Sequence, residues 1–123
     1  MGVDIKSYRD LLVWQQAMDL AVSCYKLSKK FLKEDLFGLT SQMRRSSASV
    51  AANIAEGHGR ESSQTFIQYL RISQGSLKET ETHIILAGRL ELGNKQELKG
   101  ALASCDEIGK MLRSLIRAIQ DKK

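Results

Sequence analysis

The chain of 123 residues contains no proline, and its nine glycines are scattered rather than clustered. Runs of β-branched residues are few. An all-α fold is therefore the first expectation. There are two cysteines, Cys24 and Cys105, and they lack CxxC or metal-ligand spacing. They read as small apolar groups in a reducing, cytoplasmic setting. No apolar run approaches the length that spans a bilayer, and the opening MGVDIKSYRD carries acids without an apolar stretch. A soluble protein with no signal peptide and no membrane contact follows.

Catalytic patterns are missing too. The two histidines, His58 and His83, are far apart in the sequence. His58 stands in Gly-His-Gly, which reads as a solvated turn. Di-iron bundles use Glu-x-x-His pairs on two helices, whereas Glu79 and His83 are four residues apart and have no second copy. GHGR lacks the spacing of a phosphate-cradling loop, and the serines lack a partnered base. The sequence points to a non-enzyme, with no catalytic residue, metal or cofactor assigned.

What is present is a mildly basic chain, net +5, with four stretches of helical periodicity in a single domain over residues 1–123. The first helix is placed from Asp10 to Phe31, with Ser7 or Asp10 as its cap. Trp14, Met18, Ala21, Tyr25 and Leu32 are read as its core face. Val13, Leu20, Leu27 and Phe31 form a second apolar strip, more than one side of a small bundle covers. Val13, Leu20 and Leu27 are accordingly assigned to a subunit interface.

The second helix runs from FGLTS to Glu56, with Leu39, Met43, Val50 and Ile54 inward and Gly57 and Gly59 as stops. The third follows RESSQ, capped by Ser62 or Ser63, with Phe66, Leu70, Leu77 and Ile84 inward, and ends at Gly93. Asn94 caps the fourth, with Glu97 three residues on as a capping box. Leu98, Ala101, Leu102, Cys105, Ile108, Leu112, Leu115, Ile116 and Ile119 keep strict helical period there. Short connections imply an antiparallel up-and-down four-helix bundle.

The second helix carries two further strips. Gln42, Arg45, Ser49, Asn53 and Glu56 form a polar one, and Ala48, Ala51 and Ala55 a small one headed by Arg44. Small residues admit a close neighbour, so the alanines join the interface assignment. The polar strip is read mainly as fixing helix register or subunit packing, with ligand contact as the other reading. A buried arginine needs an anion, and the third helix offers Glu79 and Glu81; Arg45–Glu81 is the expected pair.

These residues also carry a family pattern: Tyr8-Arg-Asp-Leu-Leu-Val-Trp14-Gln-Gln-Ala17, then Phe37-Gly38-Leu39, Gln42-Met-Arg44-Arg45, Ser49 and Asn53-Ile-Ala-Glu56-Gly57, with Arg60 beyond. Gly75-Ser76-Leu77-Lys-Glu79-Thr-Glu81 and Leu90-Glu-Leu92-Gly93 follow. Together they resemble the four-helix-bundle proteins encoded by intervening sequences in bacterial 23S ribosomal RNA genes. The resemblance implies a bundle that assembles into a homopentameric ring. It also implies kinship with accessory proteins of diversity-generating retroelements, basic barrels that bind nucleic acid and a reverse transcriptase. The chain departs from the pattern at Leu32 and at Val50-Ala51-Ala52, where the family often carries proline.

From Asn94 onward there are seven basic and four acidic side chains, three of the five net charges. Lys99, Lys110, Arg113 and Arg117 are the leading candidates for phosphate contact, with Arg44 and Arg60 next. Repetition around a ring multiplies such a face. Aromatic and basic residues are not interleaved, so backbone or shape recognition of structured RNA or DNA is expected rather than sequence readout. The competing expectation is an oligomeric scaffold for a protein partner, supported by the over-apolar first helix and the alanine strip.

Overall fold

The protein, described here over residues 7–122 by a computed structural model, holds four α-helices and no strand among the described residues. They are α1 (Leu12–Ser28), α2 (Ser41–His58), α3 (Ser63–Arg89) and α4 (Lys95–Asp121). Each helix packs on its neighbours in sequence, and α1 closes the square against α4. The α1–α2 flank thus lies opposite the α3–α4 flank. One apolar core fills the centre, built from Leu20, Met43, Ile54, Leu77, Ile84 and Ile108 among others.

α1 is shorter than its apolar pattern. Ser7 does serve as a cap, but of a separate 3₁₀ turn (Tyr8–Asp10), where its Oγ accepts from the Arg9 amide at 3.1 Å. α1 itself starts at Leu12 without a side-chain cap. Its end tightens into i→i+3 bonds, with Phe31 N–H donating to Ser28 O at 3.0 Å. Leu32 then takes φ −65° and ψ 149°. That is the backbone proline prefers, so leucine here adopts a proline-like turn.

The expected core face of α1 is inward only in part: Ala21 is buried and Trp14 packs against the core. Val13, Leu20 and Leu27 are 5%, 1% and 2% exposed within the single chain, so they belong to its own core and are out of a partner's reach. Met18, Tyr25 and Leu32 stand outside instead. The core has room for Ala17 and Cys24 between its larger side chains, and this smaller set seats α1 closely against its neighbours.

A 3₁₀ turn (Lys33–Asp35) and a wide turn (Leu36–Thr40), kinked at Gly38, lead into α2. Gly57, expected to stop α2, is buried within it, and α2 runs on to His58 with Gly59 as its cap. A Cβ on Gly57 would lie 2.5 Å from Tyr69 Cβ. Gly57 thus lets α2 and α3 approach closely there. His58 is half-buried, edge-on to Phe66 with ring centroids 5.7 Å apart, rather than a solvated turn residue.

The α2–α3 seam is small and polar. Ser73 Oγ donates to Val50 O at 2.9 Å, and Thr80 Oγ1 lies 2.9 Å from both Ser46 Oγ and Ser76 O. Ser46, Ser73 and Thr80 are all buried, so these bonds offset their desolvation and fix the register of the two helices. Outside this row, Ser49 Oγ meets Ser76 Oγ at 2.9 Å, and Asn53 Nδ2 donates to both Ser49 O and Ser49 Oγ at 2.9 Å.

Ser62 caps α3 through the Thr65 amide at 3.3 Å. α3 ends at Arg89, before the expected Gly93, with Glu91 in the left-handed region at φ 59°. Leu92 N–H donates to Ala87 O at 2.9 Å to close the helix end. Gly93 has φ 71°, and a Cβ there would meet Phe31 Cε1 at 3.0 Å. Asn94 Oδ1 accepts from the Gln96 and Glu97 amides at 2.9 and 3.0 Å. The Glu97 side chain pairs with Lys30 at 3.3 Å, tying α4 to the end of α1.

Both thiols are buried. Burial raises the Cys24 pKa to about 11, against the hydrogen bond of Ser47, and the Cys105 pKa to about 12, where the Glu81 charge adds to burial. Neither is a nucleophile near neutrality. A thiol reagent at pH 8 is expected to label the native protein only through unfolding, and both sites readily in denaturant. The unfolded thiols ionise near 9, below the folded values, so their share of stability is present below pH 9 and is lost as pH rises toward 11 and beyond. Chemical denaturation across that window reads the loss.

Candidate nucleic-acid interface

α4 is the most amphipathic element. Its buried row is Leu98, Ala101, Cys105, Ile108, Leu112 and Ile116. At about 100° per residue, Lys95, Lys99, Lys110, Arg113 and Arg117 share an arc of about 60° beside that row. All five are exposed. With a rise of about 1.5 Å per residue, they extend over about 33 Å. The row lies toward α3: a Cβ on Gly109 would lie 3.6 Å from both Leu77 Cδ2 and Arg113 Nη1.

Lys110 lies 4.0 Å from Glu107, a weak exposed pair. Lys99, Arg113 and Arg117 enter no ion pair among the described residues. Asp106 falls within the arc and is the one acid that interrupts it.

The structure adds Arg89, which the sequence reading did not single out. Arg89, Lys95 and Lys99 rim one cavity of about 360 Å³ whose floor includes Ile84, Leu98 and Leu102. Arg89 is the last residue of α3, and the short connection brings it beside the first turns of α4. The signal that could have pointed to it is the short connection between the two helices, since helical period within α4 does not reach α3.

The other candidate cations stand apart. Arg60 donates to Glu56 Oε2 at 2.9 Å and to Tyr69 Oη at 3.1 Å, and stacks on Tyr69 with its Cζ 5.3 Å from the ring centroid. Hydrogen bonding to Glu56 raises its pKa further. Arg60 is thus committed to a local triad. Arg44 lies on the α1–α2 flank, opposite the α4 row, with Nε on Ser28 Oγ at 2.9 Å and Nη2 on Tyr25 O at 3.3 Å.

In the polar strip, Arg45 pairs with Glu79, not Glu81, and donates to Gln42 Oε1 at 2.8 Å. Glu79 also lies 3.4 Å from His83 Nε2, while Glu81 pairs with Lys78 at 3.3 Å. The strip residues Gln42, Arg45, Ser49, Asn53 and Glu56 thus bond within α2 or to α3. Of the alanines, Ala51 is buried, Ala55 half-buried and Ala48 exposed. Among the described residues no three His, Cys, Asp or Glu side chains gather at metal-binding range, and no helix is long and apolar enough to cross a membrane.

Comparison with known proteins places this geometry. No curated protein matches the chain. A crystal structure of a protein of unknown function from the S23 ribosomal protein family of Bacteroides thetaiotaomicron superposes with a TM-score of 0.79 at 30% identity. The match covers 86% of this chain and 96% of that one. The family described as 23S rRNA-intervening sequence protein matches residues 9–114. That span takes in all of α1, α2 and α3 and most of α4, and the chain belongs to the 23S rRNA-intervening sequence protein family.

Proposed function

We propose that this protein is a non-enzymatic, cytoplasmic accessory protein that binds the phosphate backbone of structured RNA or DNA through α4. The observation that carries this reading is the row of exposed cations on α4, four of them (Lys95, Lys99, Arg113 and Arg117) without an ion-pair partner among the described residues. Such a row neutralises phosphates and releases counterions, and needs no base contact to do so. Arg89 extends it onto α3. The grip is strengthened if several copies act together.

Self-association has its own support. Met18, Val22 and Tyr25 stand exposed on α1, and Ala48 and Ala52 are exposed on the neighbouring α2. Large side chains next to small ones make a surface that a second copy can fill. This α1–α2 face takes the place of Val13, Leu20 and Leu27 in the assembly, for which the family resemblance implies a pentameric ring. It lies opposite the α4 cations, so assembly through it leaves the α4 row free.

The test is a salt-series anisotropy titration against structured ribosomal RNA and duplex DNA of equal length. Affinity is expected to fall steeply with salt, and a preference for RNA would give the family description a biochemical meaning. Absence of binding at low salt overturns the nucleic-acid reading. The exposed α1–α2 face would then favour a scaffold for a protein partner, and a monomeric solution mass would remove that as well.

A further inference from the structure

Two adjoining cavities, of about 420 and 240 Å³, lie where the end of α1 meets the start of α2. Leu36, Thr40 and Arg44 line both. Tyr25, Phe37, Ser41 and Arg45 complete the first, and Lys29 and Lys33 stand on the second. Phe37 is 92% exposed, the barest large apolar side chain in the described chain. Thr40 is buried, and its Oγ1 has no hydrogen-bond partner. Neither Arg44, Lys29 nor Lys33 is in an ion pair among the described residues.

The chemistry of the cleft narrows its ligand. Arg44 already donates Nε to Ser28 and Nη2 to Tyr25 O, and its Cζ stacks 4.7 Å from the Tyr25 ring centroid. Those bonds occupy the Nε–Nη2 edge of the guanidinium and leave Nη1 free to donate. A phosphate takes donors from separate directions, and Arg44, Lys29, Lys33 and the Ser41 hydroxyl surround the cleft from several sides. The carboxylates of the adjacent turn, Glu34 and Asp35, do not line it. The bare ring of Phe37 on the rim is a flat surface of the kind on which a base stacks.

We propose that this cleft binds a nucleotide unit, its phosphate held by Arg44, Lys29 and Lys33 and its base stacked on Phe37. It is a second nucleic-acid site, on the flank opposite α4, and takes an unpaired nucleotide where α4 takes backbone. The sequence separates the aromatic and basic residues, and the turn from α1 into α2 brings them together.

The experiment uses the full chain and a labelled, unstructured single-stranded oligonucleotide. Phe37→Ala removes a side chain that the fold does not bury, and is expected to weaken single-strand binding about tenfold while leaving duplex binding unchanged. Lys29→Gln with Lys33→Gln is expected to lower the single-strand salt slope by about 1.4. Reversal of Arg113 and Arg117 to Glu is expected to remove duplex binding and keep single-strand binding, which separates this site from the α4 reading. Wild-type single-strand affinity in Phe37→Ala overturns the proposal, as does loss of that binding in the α4 variant alone. Amide resonances of Phe37, Thr40 and Arg44 identify the source of the nucleotide. Shifts with a free nucleoside monophosphate as well as the strand assign a small-molecule site, and shifts with the strand alone assign a strand site. Shifts with neither overturn the cleft.

Discussion

Replacing Arg113 and Arg117 together by glutamate is expected to reduce affinity for structured RNA or duplex DNA at low salt by about a hundredfold or more. Each lost phosphate contact should lower the salt slope by about 0.9, so the pair lowers it by about 1.8. The new carboxylates add repulsion beside Asp106, and any oligomer repeats the loss in every subunit. Both arginines are exposed and lie off the buried row of α4, so stability should change by no more than about 0.5 kcal/mol per site. Anisotropy titrations at several salt concentrations, with a thermal melt as control, read both quantities. An unchanged slope would mean that α4 does not touch phosphate.

The second large effect is on the fold. Gly57→Leu places a branched side chain where a single Cβ would already be 2.5 Å from Tyr69 Cβ and 3.0 Å from Phe66 Cδ1. Tyr69 Cβ is fixed to its backbone and cannot swing away, so α2 and α3 must separate. Separation would break the short bonds between Ser73 and Val50 and between Thr80 and Ser46. A loss of about 3 kcal/mol or more is expected, at the upper end for overpacking because polar groups are orphaned too. At about 4 °C per kcal/mol, the melting temperature should fall by about 12 °C or more. Gly75→Ala is the control: a Cβ there meets nothing within 4 Å, so the better helix former should raise stability by about 0.8 kcal/mol. A Gly57→Leu melt within two or three degrees of wild type would show that the seam accommodates the change.

Periodicity made most of this architecture legible. The buried row of α4 and the Asn94 cap could be read from spacing, because polar and apolar residues segregate sharply there. The first helix was harder. Both of its strips are apolar, so spacing alone put Met18 and Tyr25 inward, whereas the bundle buried Val13, Ala17, Leu20, Cys24 and Leu27 and left those two exposed. Arg45 exposes a deeper limit. Glu79 and Glu81 are about 200° apart around α3, one toward α2 and the other toward α4. A helical wheel does not say on which side the next helix lies, since the hand of the bundle is absent from the period. The cleft was invisible for a related reason. Phe37 and Arg44 meet Lys29 and Lys33 only after a wide turn whose path no local pattern encodes.

The seam between α2 and α3 has a further consequence. Those helices share a close backbone approach at Gly57 and the buried hydroxyl bonds, whereas α1 begins without a side-chain cap and ends in i→i+3 turns. The molecule is therefore unevenly cooperative. In hydrogen–deuterium exchange the amides of α2 and α3 are expected to open only with the whole chain, and the ends of α1 through smaller, local openings. A chain that loosens α1 and keeps the α2–α3 pair uncovers Val13, Leu20 and Leu27, the strip whose natural cover is α1's own neighbours. Another molecule loosened in the same way offers an identical vacancy. Exchange of α1 between chains would then yield a swapped dimer with every native contact preserved, a trap that grows with concentration and with any substitution that weakens the first turn of α1.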